Sequence, residues 1–125
     1  MATSLHTYEK VLKAAADRTR VRILKMLEEG ELRVSEVMEV LGAGQSTVSG
    51  HLAILKDAGL VRDRRQGRSG YYSLADRKDN PYSLPLLAMI LGWLDDDQQV
   101  RADKRRLAAM LKSRNKTAGL PDGRG

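Results

Sequence analysis

Apolar positions recur at helical spacing from the start of the chain. Leu5, Tyr8, Val11, Leu12 and Ala15 lie along one side of an otherwise polar segment, which predicts a helix over 5–16. Asp17 is placed to cap a second helix, whose stripe of Val21, Ile23, Leu24 and Leu27 ends before Gly30. Val34, Val37, Met38 and Leu41 predict a third helix over about 34–41, and Gly42 and Gly44 bracket a tight turn. The next helix, over about 46–58, buries Val48, Leu52 and Leu55 and stops at Gly59. Two short helices joined by a glycine-containing turn are a helix-turn-helix pattern.

The period then changes. "LVRDRRQ" and "GYYSL" suit strands, and "GRSG" between them suits the tip of a hairpin, with Tyr72 and Leu74 turned inward and Tyr71 outward. Asn80–Pro81 and Ser83 shortly before Pro85 resemble helix starts. The helix that follows is apolar nearly all round from Leu84 to Leu94, so a second body is expected to cover it, and a homodimer is the simplest cover. Val100, Leu107 and Leu111 carry one stripe onward to about Lys112, with a bend or break near Asp95, Asp96 and Asp97. Residues 113–125 lack periodicity and are expected to be a disordered tail. The fold class expected is mainly α with a β-hairpin: a winged helix-turn-helix domain over 1–112.

Composition narrows the function. Among 125 residues, 22 Lys and Arg against 16 Asp and Glu leave a net charge of +6, which favours an anionic partner, nucleic acid or an anionic membrane, without choosing between them. No Cys is present, which excludes disulfides, thiolate metal sites and cysteine nucleophiles. With no Phe and one Trp, a large aromatic-lined pocket is not expected. The longest apolar run, "LPLLAMILGWL", falls well short of the roughly 20 residues that span a bilayer, and "MATSLHTYEK" lacks a signal-peptide core. A cytoplasmic protein with no membrane partner is expected.

The candidate chemistry lies in two neighbouring stretches. At the start and on the open flank of the helix from Ser46 stand Gln45, Ser46, Thr47, Ser49, Gly50 and His51. Their small polar groups can enter the major groove, and the helix dipole favours phosphate there. The plain alternative is that Ser46 or Gln45 merely begins the helix and the others are solvated. Arg62, Arg64, Arg65 and Arg68 cluster around the hairpin with Tyr71, where arginines can track phosphates or enter the minor groove; a charged, protected strand edge would account for some of them. His51 has His6 as its sole possible imidazole companion, so a packing or phosphate-contacting role is expected and no metal site. Three consecutive Asp do not share a helix face, which argues against a Mg²⁺ site at 95–97. Arg101, Lys104, Arg105 and Arg106 read as a solvated face offsetting Asp95 to Asp97 and Asp103. Ser46 and Ser49 have no base and orienting acid beside them, so no catalytic residues or cofactor are expected.

"DRTRVRILKMLEEGEL", "QSTVSGHLAILKDAGLV" and "RRQGRSGYYSL" resemble the ArsR/SmtB family of winged-helix repressors over residues 14–75, about half the chain. The resemblance implies double-stranded DNA with a palindromic operator as partner, derepression by an effector, and a dimer built by the first and last helices. That assigns Leu5, Tyr8, Leu12, Leu84, Leu87, Ala88, Leu91 and Leu94 to the interface. Arsenic-sensing members carry a segment similar to Glu-Leu-Cys-Val-Cys where this chain has "ELRVS", with Arg33 and Ser35 at the two thiolate positions. Zinc-sensing members place His on the last helix, and the last helix here has none. Thiolate sensing is therefore not carried over; an organic ligand, a partner protein or control by abundance remain open. Gly50 also departs from relatives that often have a larger polar or basic residue.

Two readings follow. The first is a homodimeric, sequence-specific regulator, most often a repressor in such a family. The second is a winged-helix interaction module whose apolar helix near Trp93 docks another protein. For "ELRVSEV" itself, either Arg33 or Ser35 caps the third helix, and Glu36 suits its positive first turn.

Overall fold

The computed structural model describes residues 2–118, with side-chain surroundings to 114. Helix α1 is Leu5–Ala15, capped by Ser4, whose Oγ accepts from the Thr7 N–H. Helix α2 is Arg18–Met26; Asp17 caps it by accepting from the Arg20 N–H at 3.0 Å, and a 3-10 turn over Leu27–Glu29 leads to Gly30. Helices α3, Val34–Leu41, and α4, Gln45–Asp57, form the helix-turn-helix, with Gly42 in the left-handed region between them. Strands β2, Val61–Gln66, and β3, Ser69–Leu74, make the hairpin, and α5, Ser83–Leu91, and α6, Gln98–Ala118, complete the chain. The arrangement is a winged helix-turn-helix.

One core holds these elements together. Val11 of α1, Ile23 and Leu24 of α2, Val37 of α3, Val48, Leu52 and Leu55 of α4, and Leu107 of α6 are all buried, each full burial of such a side chain contributing about 1.5–3 kcal/mol. The expected stripes supply these eight, and Ala14, Met26, Leu32, Val40, Leu60 and Val61, which belong to none of those stripes, are buried with them. Tyr72 and Leu74 pack against it, as their inward setting required.

A short strand not expected from the sequence, β1, Leu32–Arg33, precedes α3. It pairs antiparallel with β3, giving the sheet order β1-β3-β2, with Leu32 opposite Tyr72 and Arg33 opposite Tyr71. Two residues are too few for an alternation to register, so "ELRVSEV" read as a helix entry alone. Arg33 stands at the cap position of α3, and the stabilising bond runs the other way: the Glu36 carboxylate accepts from the Arg33 N–H at 2.8 Å.

The hairpin tip is tighter than "GRSG" suggested. Gln66 pairs with Ser69, so the loop is Gly67–Arg68 alone, and Gly67 at φ +61° takes the first central position as a type II′ turn requires. At the junction of α4 and β2, the Gly59 N–H bonds to the Lys56 carbonyl and the Leu60 N–H to that of Leu55, a Schellman stop. Gly59 has φ +76°, and a Cβ there would lie 2.8 Å from the Cβ of Asp79. Only glycine fits.

The C-terminal part differs from expectation in three respects. Helix α5 stops at Leu91, short of Leu94, and Leu94 takes a left-handed φ of +71° as the chain turns into α6. The turn is held by Lys25, a fully buried side chain whose Nζ donates to the carbonyls of Trp93 (2.7 Å) and Leu91 (3.4 Å) and to the carboxylates of Asp95 and Glu28 (3.0 Å each). Asp97 then caps α6 by accepting from the Val100 N–H. The Asp triplet is thus a lysine partner followed by a helix cap. Third, α6 continues to Ala118, so 113–118 of the expected tail are helical; 119–125 lie outside the described residues.

Candidate nucleic-acid interface

Helix α4 turns Val48, Leu52 and Leu55 into the core and leaves its first turns open. Gln45, Ser46, Thr47, Ser49 and Gly50 are all exposed. Gly44 begins the helix without a side-chain cap, so the N–H groups of the first turn have no side-chain acceptor there. Nothing lies within 4 Å of where a Gly50 Cβ would be, so packing does not require a glycine at this site. Ile54, further along the same helix, is 45% exposed.

His51 departs from this group. It is half-buried, and its Nδ1 lies 3.3 Å from Nη1 of Arg20, whose guanidinium also donates to the Ala14 and Lys13 carbonyls. Since arginine only donates, Nδ1 accepts and the ring proton sits on Nε2. His51 therefore ties α4 to the α1–α2 junction.

Register sorts the wing arginines. Arg64 lies opposite Tyr71 and Arg62 opposite Ser73, on one face of the sheet; Arg65, Asp63 and Val61 alternate onto the other, opposite Gly70, Tyr72 and Leu74. On the first face the cations are engaged. Arg64 makes a two-pronged pair with Glu31 at 2.6 Å on each prong, bonds to Gln66 at 2.9 Å and stacks over Tyr71 at 4.6 Å. Arg62 pairs with Asp76. Those partners hold the Glu31 and Asp76 carboxyls below their ordinary range, in each case chiefly through the arginine hydrogen bond. Arg65 and Arg68 have no ion-pair partner among the described residues.

Between wing and helix lies an open cleft of about 660 Å³. Gln45 borders it from α4, Ser35 from α3, and Asp63, Arg64, Arg65, Arg68 and Tyr72 from the wing, Arg64 while held by Glu31. Arg33 lines it too, a cation the sequence reading did not include, because only its place in β1 brings it beside the wing. Lys56 of α4 pairs with Asp63 of β2 at 3.1 Å, fixing helix and hairpin to one another and neutralising the cleft's one acid. What remains is a polar helix end facing unpaired guanidinium groups, an arrangement suited to a phosphate backbone with a groove beside it.

The expected solvated basic face on α6 divides instead. Arg101 and Arg105 are exposed. Lys104 reaches the Glu28 carboxylate, and Arg106 donates to the Val40 and Glu39 carbonyls at 2.9 Å each, closing the C-terminal end of α3. Arg114 holds both oxygens of Glu36 at 2.9 Å, and Arg22 of α2 holds both oxygens of buried Asp103 at 2.8 and 2.9 Å. These are long-range pairs that no local charge pattern reveals.

The expected dimer residues also divide. Leu5, Tyr8 and Leu12 are 88%, 49% and 36% exposed on α1, and Leu94 is 41% exposed. Ala88 is exposed, and Leu84 and Leu91 are half-buried. Leu87 is not available for an interface, since it is buried in the chain's own core, where with Ile90 it forms the inner side of α5. Met89 and Trp93, within the apolar segment expected to be covered but not singly assigned to the interface, are 48% and 57% exposed. Tyr8 and Tyr82 meet at near right angles with ring centres 5.5 Å apart, joining α1 to the segment that enters α5.

Known proteins share this arrangement. Residues 17–63 match the family model described as bacterial regulatory protein, arsR family. The arsenic resistance transcriptional regulator ArsR1 of Pseudomonas putida is 40% identical over 102 residues, covering 80% of this chain and 77% of that protein. A homolog of the cadmium resistance transcriptional regulatory protein CadC from Staphylococcus aureus is 44% identical over 68 residues, 54% of this chain, and the match spans 56% of that protein's length. Among solved structures, a homodimeric winged helix-turn-helix DNA-binding domain from Mycobacterium bovis matches with a TM-score of 0.59 at 34% identity, covering 69% of this chain and 76% of that one.

Proposed function

The chain belongs to the ArsR family of bacterial regulatory proteins, and from that premise we propose that it acts in the cytoplasm as a homodimer bound to a palindromic operator. It is a DNA-binding transcriptional repressor. The observation that carries the site assignment is the exposed start of α4, whose Gln45 shares one cleft with Arg65 and Arg68 and whose Ser46, Thr47, Ser49 and Gly50 are exposed beyond it. In this reading Gln45, Ser46, Thr47 and Ser49 meet base edges and phosphates in the major groove, and the two wing arginines grip the flanking backbone. A homodimer accounts for the exposed Leu5, Tyr8 and Leu12 of α1 together with Ala88 and Met89 of α5.

Release from DNA runs through something other than a thiolate-bound metal. Arg33 and Ser35 occupy the positions concerned, and both have structural settings: Arg33 in β1 and Ser35 in the first turn of α3. Neither is a soft ligand. A mobility-shift titration on the DNA upstream of its own gene tests the whole reading: retention against an excess of random duplex is expected, and equal competition by random duplex would overturn it. Repeating the shift with arsenite, cadmium, zinc and a panel of small metabolites addresses the effector. Release by arsenite or cadmium at low concentration would contradict the absence of thiolate sensing.

A second reading draws on Met89, Trp93 and Leu94, three large apolar side chains left 41–57% exposed around the end of α5. In it, this patch docks a different protein. A stable homodimer whose Trp93 fluorescence resists an aqueous quencher would count against it.

A further inference from the structure

The wing's arginines are not equivalent, and the difference is built by two carboxylates outside the hairpin. Glu31 lies just before β1 and Asp76 just after β3, at the body of the domain. Each takes one arginine of β2: Glu31 takes Arg64 through both oxygens, and Asp76 takes Arg62. Both arginines belong to the sheet face opposite that of Arg65.

We propose that Arg62 and Arg64 are positioning residues that fasten the wing to the domain, and that Arg65 and Arg68 alone supply the wing's phosphate contacts. This rests on the reading of α4 and the wing as the DNA-binding face. Three observations converge on it. The alternation of β2 puts Arg65 on the same side as Asp63, whose partner is Lys56 of α4, and Arg64 on the side away from it. Arg64 is held by four contacts at once: two carboxylate oxygens, the Gln66 amide oxygen and the Tyr71 ring. A phosphate approaching it would meet the Glu31 carboxylate as well, and like charges repel. Arg68, in the two-residue loop, and Arg65, near the end of β2, carry no such ion-paired carboxylate among the described residues.

Fastening matters because β1 pairs with β3 at Tyr71 and Tyr72 alone, and the wing beyond them is a two-stranded ribbon, marginal by itself. Pairs at Arg64 and Arg62 hold the hairpin on its outer face, while Lys56–Asp63 holds it on the inner one. The wing tip is thereby presented at a fixed angle to the first turn of α4.

The test is the salt dependence of binding, measured on the duplex upstream of its own gene and on a random duplex. Each phosphate-gripping cation contributes about 0.9 to the slope of log affinity against log salt. Arg65→Ala and Arg68→Ala are each expected to lower the slope by about 0.9 on both duplexes. Arg64→Ala is expected to leave the slope unchanged and to weaken binding by about 1.5- to 5-fold, the scale of one exposed ion pair. Glu31→Gln should weaken binding to the same degree, and the charge reversal Glu31→Arg with Arg64→Glu should recover most of the loss. If Arg64 instead grips a phosphate, Arg64→Ala lowers the slope by about 0.9, Glu31→Gln tightens binding and the reversal fails; any of these overturns the proposal. Lack of preference for the upstream duplex would overturn the operator reading separately, while the slopes on random duplex still decide between the two roles.

Discussion

The α2–α6 side of the molecule and the α4–wing side are built from the same kinds of residue and divide them differently, Arg101 and Arg105 being exposed on the first and Lys56, Arg62 and Arg64 being paired on the second. On the first, Arg22, Lys25, Lys104, Arg106 and Arg114 each end on a carboxylate or a carbonyl, most of them far away in sequence. On the second, the polar groups of Gln45 to Gly50 are exposed and Arg65 and Arg68 lack ion-pair partners among the described residues. Basic charge by itself says nothing about nucleic acid. A cation already satisfied within the fold stabilises the fold; one left open in a cleft is available to a partner.

The largest effect is expected where the committed side is broken. Arg22→Ala leaves the carboxylate of Asp103, 2% exposed, with the Gln99 amide as its one remaining side-chain hydrogen-bond donor among the described residues. A loss of about 3 kcal/mol is expected, the lower end for breaking a buried pair because Arg22 keeps part of its side chain in water. Urea unfolding checks this; a change below about 0.5 kcal/mol would place the pair among ordinary surface bridges. Next comes the joint between α4 and the wing. Gly59→Ala combines a left-handed φ with a clash against Asp79 and should cost about 1–3 kcal/mol. Gly50→Ala sharpens the contrast from the open side: with clear space around that position, it should raise stability by about 0.5–1 kcal/mol in thermal unfolding. A fall in operator affinity despite the firmer helix would mean that the backbone at Gly50 approaches the DNA closely.

The smallest effect is acid sensitivity. Asp17 is lowered by the Arg20 N–H, Glu31 by Arg64, Asp76 by Arg62 and Asp95 by Lys25. A carboxyl depressed in the fold contributes stability above its unfolded pKa, and that contribution is lost as pH falls through the folded value. Stability should therefore hold from neutrality to about pH 5 and decline below about pH 4. Loss on the alkaline side instead would assign the sensitivity to other groups.

Much of the fold was legible because it rests on local periodicity. The stripes of the helices, Asp17 as a cap, the glycine stops and the break near Asp95 to Asp97 all follow from residues within one or two turns of one another. What escaped needed partners from elsewhere. Strand β1 is two residues long and exists through β3; Lys25 sits in a helical pattern as an ordinary polar residue, yet is buried because α5 ends over it. Helix α6 outruns its apolar stripe, and Arg114 in that extension meets Glu36 across the domain. The candidate site was legible as a list of residues but not as a division. Strand alternation alone separates Arg64 from Arg65, and only the positions of Glu31 and Asp76 show which arginines are engaged. The packing role of His51 also needed a distant partner, Arg20, to become visible.

The most direct measurement sets one cation from each region side by side: the salt dependence of binding to its own upstream DNA for Arg68→Ala and Arg106→Ala. Arg68→Ala should lose about 0.9 from the slope and keep the unfolding midpoint. Arg106→Ala, which uncovers the Val40 and Glu39 carbonyls, should lower the midpoint and keep the slope. The reverse pattern, or equal slopes for both variants, would contradict the account.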